Sequence, residues 1–260
     1  MFKHIAGSFD LDIQEALKEL RKHDYREKII QENLKYVKFQ ISLSTTPDIL
    51  IIQSINAIED LDRTINLLSK RYREWYGYFL PELSEKIQDH EIFIRRSLED
   101  KNELIKELNI DISMGKDFDQ KHIDAMNLFA RHIIELFDQR ADLKEYLELI
   151  MQEQCPNLFA VAGSLIGAKL IEKAGSLKHL SIMPSSTIQL LGAEKALFRH
   201  LRNKKIRPPK HGLILSHPYV MDAKNKGKAA RVFSAKISIA TKVDYFKGEF
   251  IGDRLKEELN

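Results

Sequence analysis

PDILIIQSINAIEDLDRTINLLSKRYREWYGYFLP, running from Pro47 to Pro81, is the stretch on which the reading of the fold turns. Leu61, Ile65, Leu68, Tyr72, Trp75 and Phe79 recur there at steps of four and three, the seam spacing of a coiled coil. Asp60, Asp62, Arg63, Lys70, Arg71, Arg73 and Glu74 fall outside that seam. Thr45 or Thr46 can cap such a helix, Pro47 suits its first turn, and Asp48 sits where the helix dipole favours an anion. Thirty residues rising about 1.5 Å each reach roughly 45 Å, more length than a compact core requires.

A second long helix is expected from about Asp119 to Gln154. Ile123, Met126, Ala130, Ile133, Leu136, Leu143, Leu147 and Ile150 keep the same rhythm, with Arg140 on a seam position. Between the two, Ile87 to Leu108 reads as a shorter helical stretch, and Asn109 to Lys116 as a connecting loop around Ser113-Met114-Gly115. The sequence therefore predicts an all-α chain with a long antiparallel coiled-coil arm over 46–154. A remnant N-terminal segment at 1–45 precedes it, with Leu17, Leu20, Ile29, Ile30, Leu34 and Val37 as apolar positions, and a compact helical domain at 155–260 follows. Leu61, Ile65, Leu68, Ile123, Met126, Ile133 and Leu136 are the candidate dimerisation residues. An ordinary bundle using the same residues as its core has the same periodicity.

Composition fits this reading. Only eleven Gly and seven Pro in 260 residues, with 30% charged and 43% hydrophobic, favour solvated helices over a turn-rich β fold. Cys155 is the single cysteine, which excludes an internal disulfide framework and a thiolate-rich zinc site, and the expected compartment is the cytoplasm. Asp10 and Asp12 stand where a signal peptide needs its apolar run. The most apolar stretch, Leu158 to Ile171, is too short to span a membrane and contains Lys169. Gly163 and Gly167 within it are spaced to let two helices approach closely.

The formal charge of +3 hides an asymmetry. From Lys195 to Lys236 there are twelve Lys and Arg against Asp222 alone, leaving 29 basic and 37 acidic residues elsewhere. Such segregation costs self-repulsion that a polyanion relieves, the electrostatic footprint of a nucleic-acid site, although a solvated basic face carries the same charges. Ser185 or Ser186 can cap a short helix that Gly192 interrupts, and Ala193 to Arg202 begins another. On that helix Lys195, Arg199 and Arg202 fall within about 60° of one another, with Leu197 and Leu201 expected to anchor the opposite face. Phe198, at the border, either packs into the core, the commoner fate, or stacks on a base. Lys204, Lys205, Arg207, Lys210 and His211 follow on a stretch that Pro208 and Pro209 hold extended, a stiff cationic loop that loses little entropy on binding. Gly227 precedes a helix expected to start near Lys228, with Arg231 in its first turn. Cations there oppose the dipole, and a bound phosphate would relieve both them and the free N–H groups.

Gly192-Ala193-Glu194-Lys195-Ala196-Leu197-Phe198-Arg199-His200-Leu201, then Arg207-Pro208-Pro209-Lys210-His211-Gly212 and Lys228-Ala229-Ala230-Arg231, resemble the signature of the Nop domain. Ala174 to Leu177, Pro184 to Gln189, Ile251-Gly252-Asp253, Arg73-Glu74-Trp75-Tyr76 and Ser113-Met114-Gly115 extend the resemblance over about residues 48 to 258. It is similar to the archaeal Nop-domain scaffolds of box C/D small ribonucleoproteins, which guide 2′-O-methylation of RNA.

The resemblance implies a non-catalytic scaffold that homodimerises through its arm and binds kink-turn guide RNA together with a small kink-turn-binding ribosomal-type protein. The family's methyltransferase partner, fibrillarin, would use S-adenosylmethionine, so the chain itself needs no cofactor. With only about 45 residues before Thr46, most of the fibrillarin-binding domain is expected to be missing. Gly192, Ala193, Glu194, Lys195, Phe198, Arg199, His200, Lys210, His211, Lys228 and Arg231 would lie at or near the RNA, and the surface around them would also face the kink-turn-binding protein. Arg202, Lys204, Lys205 and Arg207 join them on charge and position. Rival readings are a splicing-type Nop protein on a related kink-turn, or a coiled-coil module whose basic patch meets acidic proteins. An enzyme finds little support: Gly163 to Lys169 lacks the order of a phosphate-binding loop, and the nine His residues form no close ligand pair.

Overall fold

A computed structural model describes residues 26–259, whose regular elements are all helices, with no strand among the described residues. Two units separate at 46/47. In the first, α1 (Arg26–Ser44) has no buried residue, and its Ile29, Ile30, Leu34 and Val37 are exposed. Leu17 and Leu20 lie outside the described residues.

The second unit opens with α2 (Pro47–Tyr76), which begins at Pro47 and carries Asp48 in its first turn. Three short helices follow, α3 (Pro81–Lys86), α4 (His90–Arg96) and α5 (Lys101–Glu107), before the 35-residue α6 (Gln120–Gln154). The single stretch expected at 87–108 is broken because Asp100 restarts the chain: its carboxylate accepts from the N–H groups of Asn102 and Glu103 at 2.8 and 3.3 Å.

α2 and α6 run antiparallel. Arg140 donates to Asp62 at 3.1 Å midway along, Phe129 meets the rings of Tyr72 and Trp75 further out, and Phe79 stacks on Phe118 at the tip. Ile65, Met126 and Ile133 are buried in the core of this pair, and Leu61, Leu68, Ile123 and Leu136 pack against the same core. The seven candidate dimerisation residues thus face one another within one chain. Periodicity identified a buried stripe, and the partner helix that buries it is the chain's own.

The arm holds two apolar cores. The outer one is rich in aromatics, with Tyr72, Tyr76, Phe79 and Phe93 among its buried residues. The inner one includes Ile51, Ile55, Ile58, Leu147 and Met151, and continues into the C-terminal half through Leu158, Leu170, Phe233 and Ile237. Arg140 occupies its seam position between them, paired with Asp62, 3.7 Å from Glu91 and over the ring of Phe137.

Cys155 separates α6 from α7 (Pro156–Ala174), where a boundary between arm and domain was expected, but the chain from Pro47 onward forms one compact unit. Of the two glycines expected to admit a close helix approach, only Gly167 does so: a Cβ there would lie 2.7 Å from Met151 Cε. Gly163 instead kinks α7, at φ +74° and ψ 170°, a conformation that side chains rarely adopt. The rest comprises α8 (Leu177–Ile182), α9 (Ser185–Leu190), α10 (Glu194–Arg202), a 3-10 turn at Leu213–Ser216, α11 (Pro218–Met221), α12 (Lys226–Tyr245) and α13 (Gly252–Glu257). Asp244, near the end of α12, accepts from the N–H groups of Asn157 and Leu158 at 3.0 and 2.8 Å and so caps α7. Asp48 accepts from Leu177 N–H at 2.8 Å, tying α8 to the base of α2.

Candidate nucleic-acid interface

Pro184 turns the chain into α9, and Gly192 turns it out again at φ +84°. The Gly192 N–H donates to Glu194 Oε1 at 2.6 Å, so that amide and that carboxylate are engaged with each other, and Ala193 is the residue at the N-cap of α10. A Cβ on Gly192 would come 2.5 Å from Leu213 Cγ, which places the returning chain directly against this turn.

α10 differs from expectation. It buries no residue: Phe198 is 58% exposed, Leu201 51%, and Leu197 only partly covered. The apolar side expected to anchor the helix stands in solvent, and core packing of Phe198 is overturned. A nine-residue amphipathic pattern reveals two unlike faces but not which surface meets the apolar one.

The cationic loop at 203–212 is pinned at both ends. His200 Nδ1 lies 2.5 Å from the Ile206 carbonyl oxygen, which fixes the ring and fastens the loop's start to α10. At the other end Gln189 Nε2 donates to the Lys210 carbonyl at 2.6 Å, and Gly212 N–H donates to the Gln189 carbonyl at 2.9 Å. Leu213 N–H then donates to the Leu191 carbonyl at 2.7 Å. The Lys210 side chain passes over Gly227, within 3.4 Å of where a Cβ would stand. The loop thereby joins α10, α9 and the start of α12.

α12 begins two residues earlier than the sequence suggested. Asn225 is its N-cap, accepting from Lys228 N–H at 3.1 Å, so one N–H expected to be free is satisfied internally. Lys228 stays in the first turn, whereas Arg231 falls in the second, beyond the strongest part of the dipole. Sequence reasoning missed Gln189 and Asn225. The Asn-Lys-Gly-Lys run, a capping residue three positions before a helical pattern, carried the signal for the second.

Eleven of the twelve Lys and Arg residues between 195 and 236 are exposed and form no ion pair among the described residues. They include Lys195, Arg199, Arg202, Lys204, Lys205, Arg207, Lys210, Lys228 and Arg231, together with Lys224 and Lys226, which the sequence reading did not single out. Only Lys236 is neutralised, by Glu258. The surface is fit to hold a polyanion by its phosphates, with Phe198 open beside it. Among the described residues no cluster of His, Cys, Asp and Glu could hold a metal ion. The Cys155 thiol is buried, and burial with the charges of Asp244 and Asp48 pushes it up to about 12, which leaves it an inert structural group.

Comparison with known proteins points the same way. The family model described as Nop, snoRNA binding domain, fibrillarin, matches residues 57–260. An uncharacterised NOP5 family protein of Methanocaldococcus jannaschii is 41% identical over 238 residues, covering 84% of this chain and 57% of that protein. Nucleolar protein 58 of Schizosaccharomyces pombe is 40% identical over 76% of this chain, and human nucleolar protein 56 is 39% identical over 86%. This chain spans 42% and 41% of those two. In the crystal structure of a fibrillarin/Nop5p complex a chain 25% identical superposes over 98% of this one and 82% of its own length, with a TM-score of 0.51. With a family model covering most of its length and its signature residues gathered around one cationic loop, the chain belongs to the Nop family.

Proposed function

We propose that the chain is a non-catalytic scaffold of a box C/D ribonucleoprotein that guides 2′-O-methylation. It binds kink-turn RNA jointly with a kink-turn-binding protein and homodimerises through the arm. The observation that carries this reading is the doubly pinned Pro-Pro loop, whose unpaired cations stand between those of α10 and α12. A loop already fixed by His200 and Gln189 meets phosphates at small ordering cost, so RNA is held through the shape of its backbone. The exposed apolar side of α10, with Phe198 and Leu201, suits contact with the kink-turn-binding protein or an unstacked base.

Similarity to the Nop5p chain of a complex with fibrillarin supports that methyltransferase as a partner. Chemistry then belongs to fibrillarin and its S-adenosylmethionine, with this chain supplying position. The experiment is a gel shift on kink-turn RNA with and without the kink-turn-binding protein. Binding that needs the composite is the expected outcome, and indifference to RNA in both arms would replace this reading with a protein-interaction module.

A further inference from the structure

α12 presents more to solvent than its N-terminal cations. At about 100° per residue, Lys228, Arg231, Ile239, Lys242 and Phe246 all fall within about 80° of arc on this helix. All five are exposed, while Ala229, Phe233, Ile237 and Ala240 on the other side are buried. No carboxylate interrupts this stripe. Lys236 lies off it, held by Glu258.

The far end of the stripe is built firmly. Phe246 is 73% exposed, yet Tyr245 meets its ring edge-on with centroids 5.1 Å apart. The Phe246 N–H donates to the Lys242 carbonyl at 3.0 Å, and the Gly248 N–H returns to Val243 O at 2.9 Å, closing the helix end. An exposed ring one helical turn from a cation is a pairing on which nucleic-acid bases stack while their phosphates are held. From Lys228 to Phe246 the helix rises roughly 27 Å, so the stripe starts at the pinned loop and ends well clear of it.

We propose that this stripe extends the RNA interface: single-stranded nucleotides leaving the kinked element run along α12, Lys242 holds a phosphate, and Phe246 stacks a base. The inference rests on the RNA-binding reading above. The stripe spaces single apolar side chains between lysine and arginine, whereas the cores of protein interfaces are depleted of lysine. That favours a nucleic-acid strand over a protein partner.

The test compares a minimal kink-turn RNA with the same RNA extended by about eight unpaired adenosines, within the length one binding surface of this kind tracks. Both are titrated in the presence of the kink-turn-binding protein. Wild-type chain should bind the extended RNA roughly tenfold tighter, with quenching of a 2-aminopurine placed in the extension. F246A and K242A should each lose much of that gain while retaining the affinity for the short RNA, and F246L should lose the quenching. R231A should weaken both RNAs alike. An extension that adds nothing in wild type, or a gain that survives both F246A and K242A, overturns the inference and leaves the kink-turn reading standing. So does a loss in F246A confined to binding of the kink-turn-binding protein without RNA. Failure of wild type on both RNAs overturns both readings.

Discussion

Gly212 has no room for a side chain: a Cβ there would lie 1.9 Å from the Leu191 carbonyl oxygen. Backbone, unlike a rotatable side chain, cannot step aside, so Gly212→Ala must displace the segment that returns from the cationic loop. We expect a loss of stability of about 2 kcal/mol or more in urea unfolding, with weaker RNA binding even where the fold survives. The cations are different, because they are exposed and bear no structural load. Arg199→Ala, Lys210→Ala and Arg231→Ala should leave stability nearly unchanged. Each should weaken RNA binding and flatten its salt dependence, the slope falling by roughly 0.7 to 0.9 for each phosphate that is no longer neutralised. An unchanged slope in all three would take them out of the interface. At this scale the sequence disclosed the charges and the glycines but not the clamps. Lys210 was legible as a cation, while the Gln189 amide on its carbonyl depends on a partner 21 residues away, which no local pattern encodes.

Among elements, α2 and α6 were the most legible. Pro47, Asp119 and Pro156 mark their ends through backbone geometry that acts locally, so observed and expected boundaries agree within a few residues. α10 departs from expectation because an apolar face does not by itself imply a covering surface in the same chain. Its observed placement makes a sharp distinction. Phe198→Ser should change the stability of the chain by no more than about 0.5 kcal/mol, as for an ordinary surface position. Phe233→Ala, in the core beneath α12, should cost about 3 to 5 kcal/mol. Chemical denaturation of the two variants side by side is the check, and a comparable loss in both would restore α10 to the core. The seam of the arm was legible in the same incomplete way: steps of three and four reveal that a stripe is covered without saying by which helix.

For the whole molecule, that intrachain seam moves any self-association to the arm's outward residues. Leu67 and Leu128 are exposed there, as are Ile112 and Met114 at the tip. Light scattering should return about twice the 30.2 kDa of one chain. Leu128→Glu should shift the mass toward a single chain while the helical signal persists, whereas Ile133→Glu, placing a charge in the arm's own core, should unfold it. A mass of one chain in the unaltered protein would remove homodimerisation from the account.

The inner core has a mechanical consequence. Ile51, Ile55 and Ile58 at the root of α2 belong to the same apolar core as Phe233 and Ile237, on the underside of the helix that displays Arg231 and Phe246, with α7 packed between the two helices. Root and cationic surface are therefore joined through one continuous apolar core. A load applied at the end of the lever would be felt as torque on α12, and slackening that helix would cost the lever its footing.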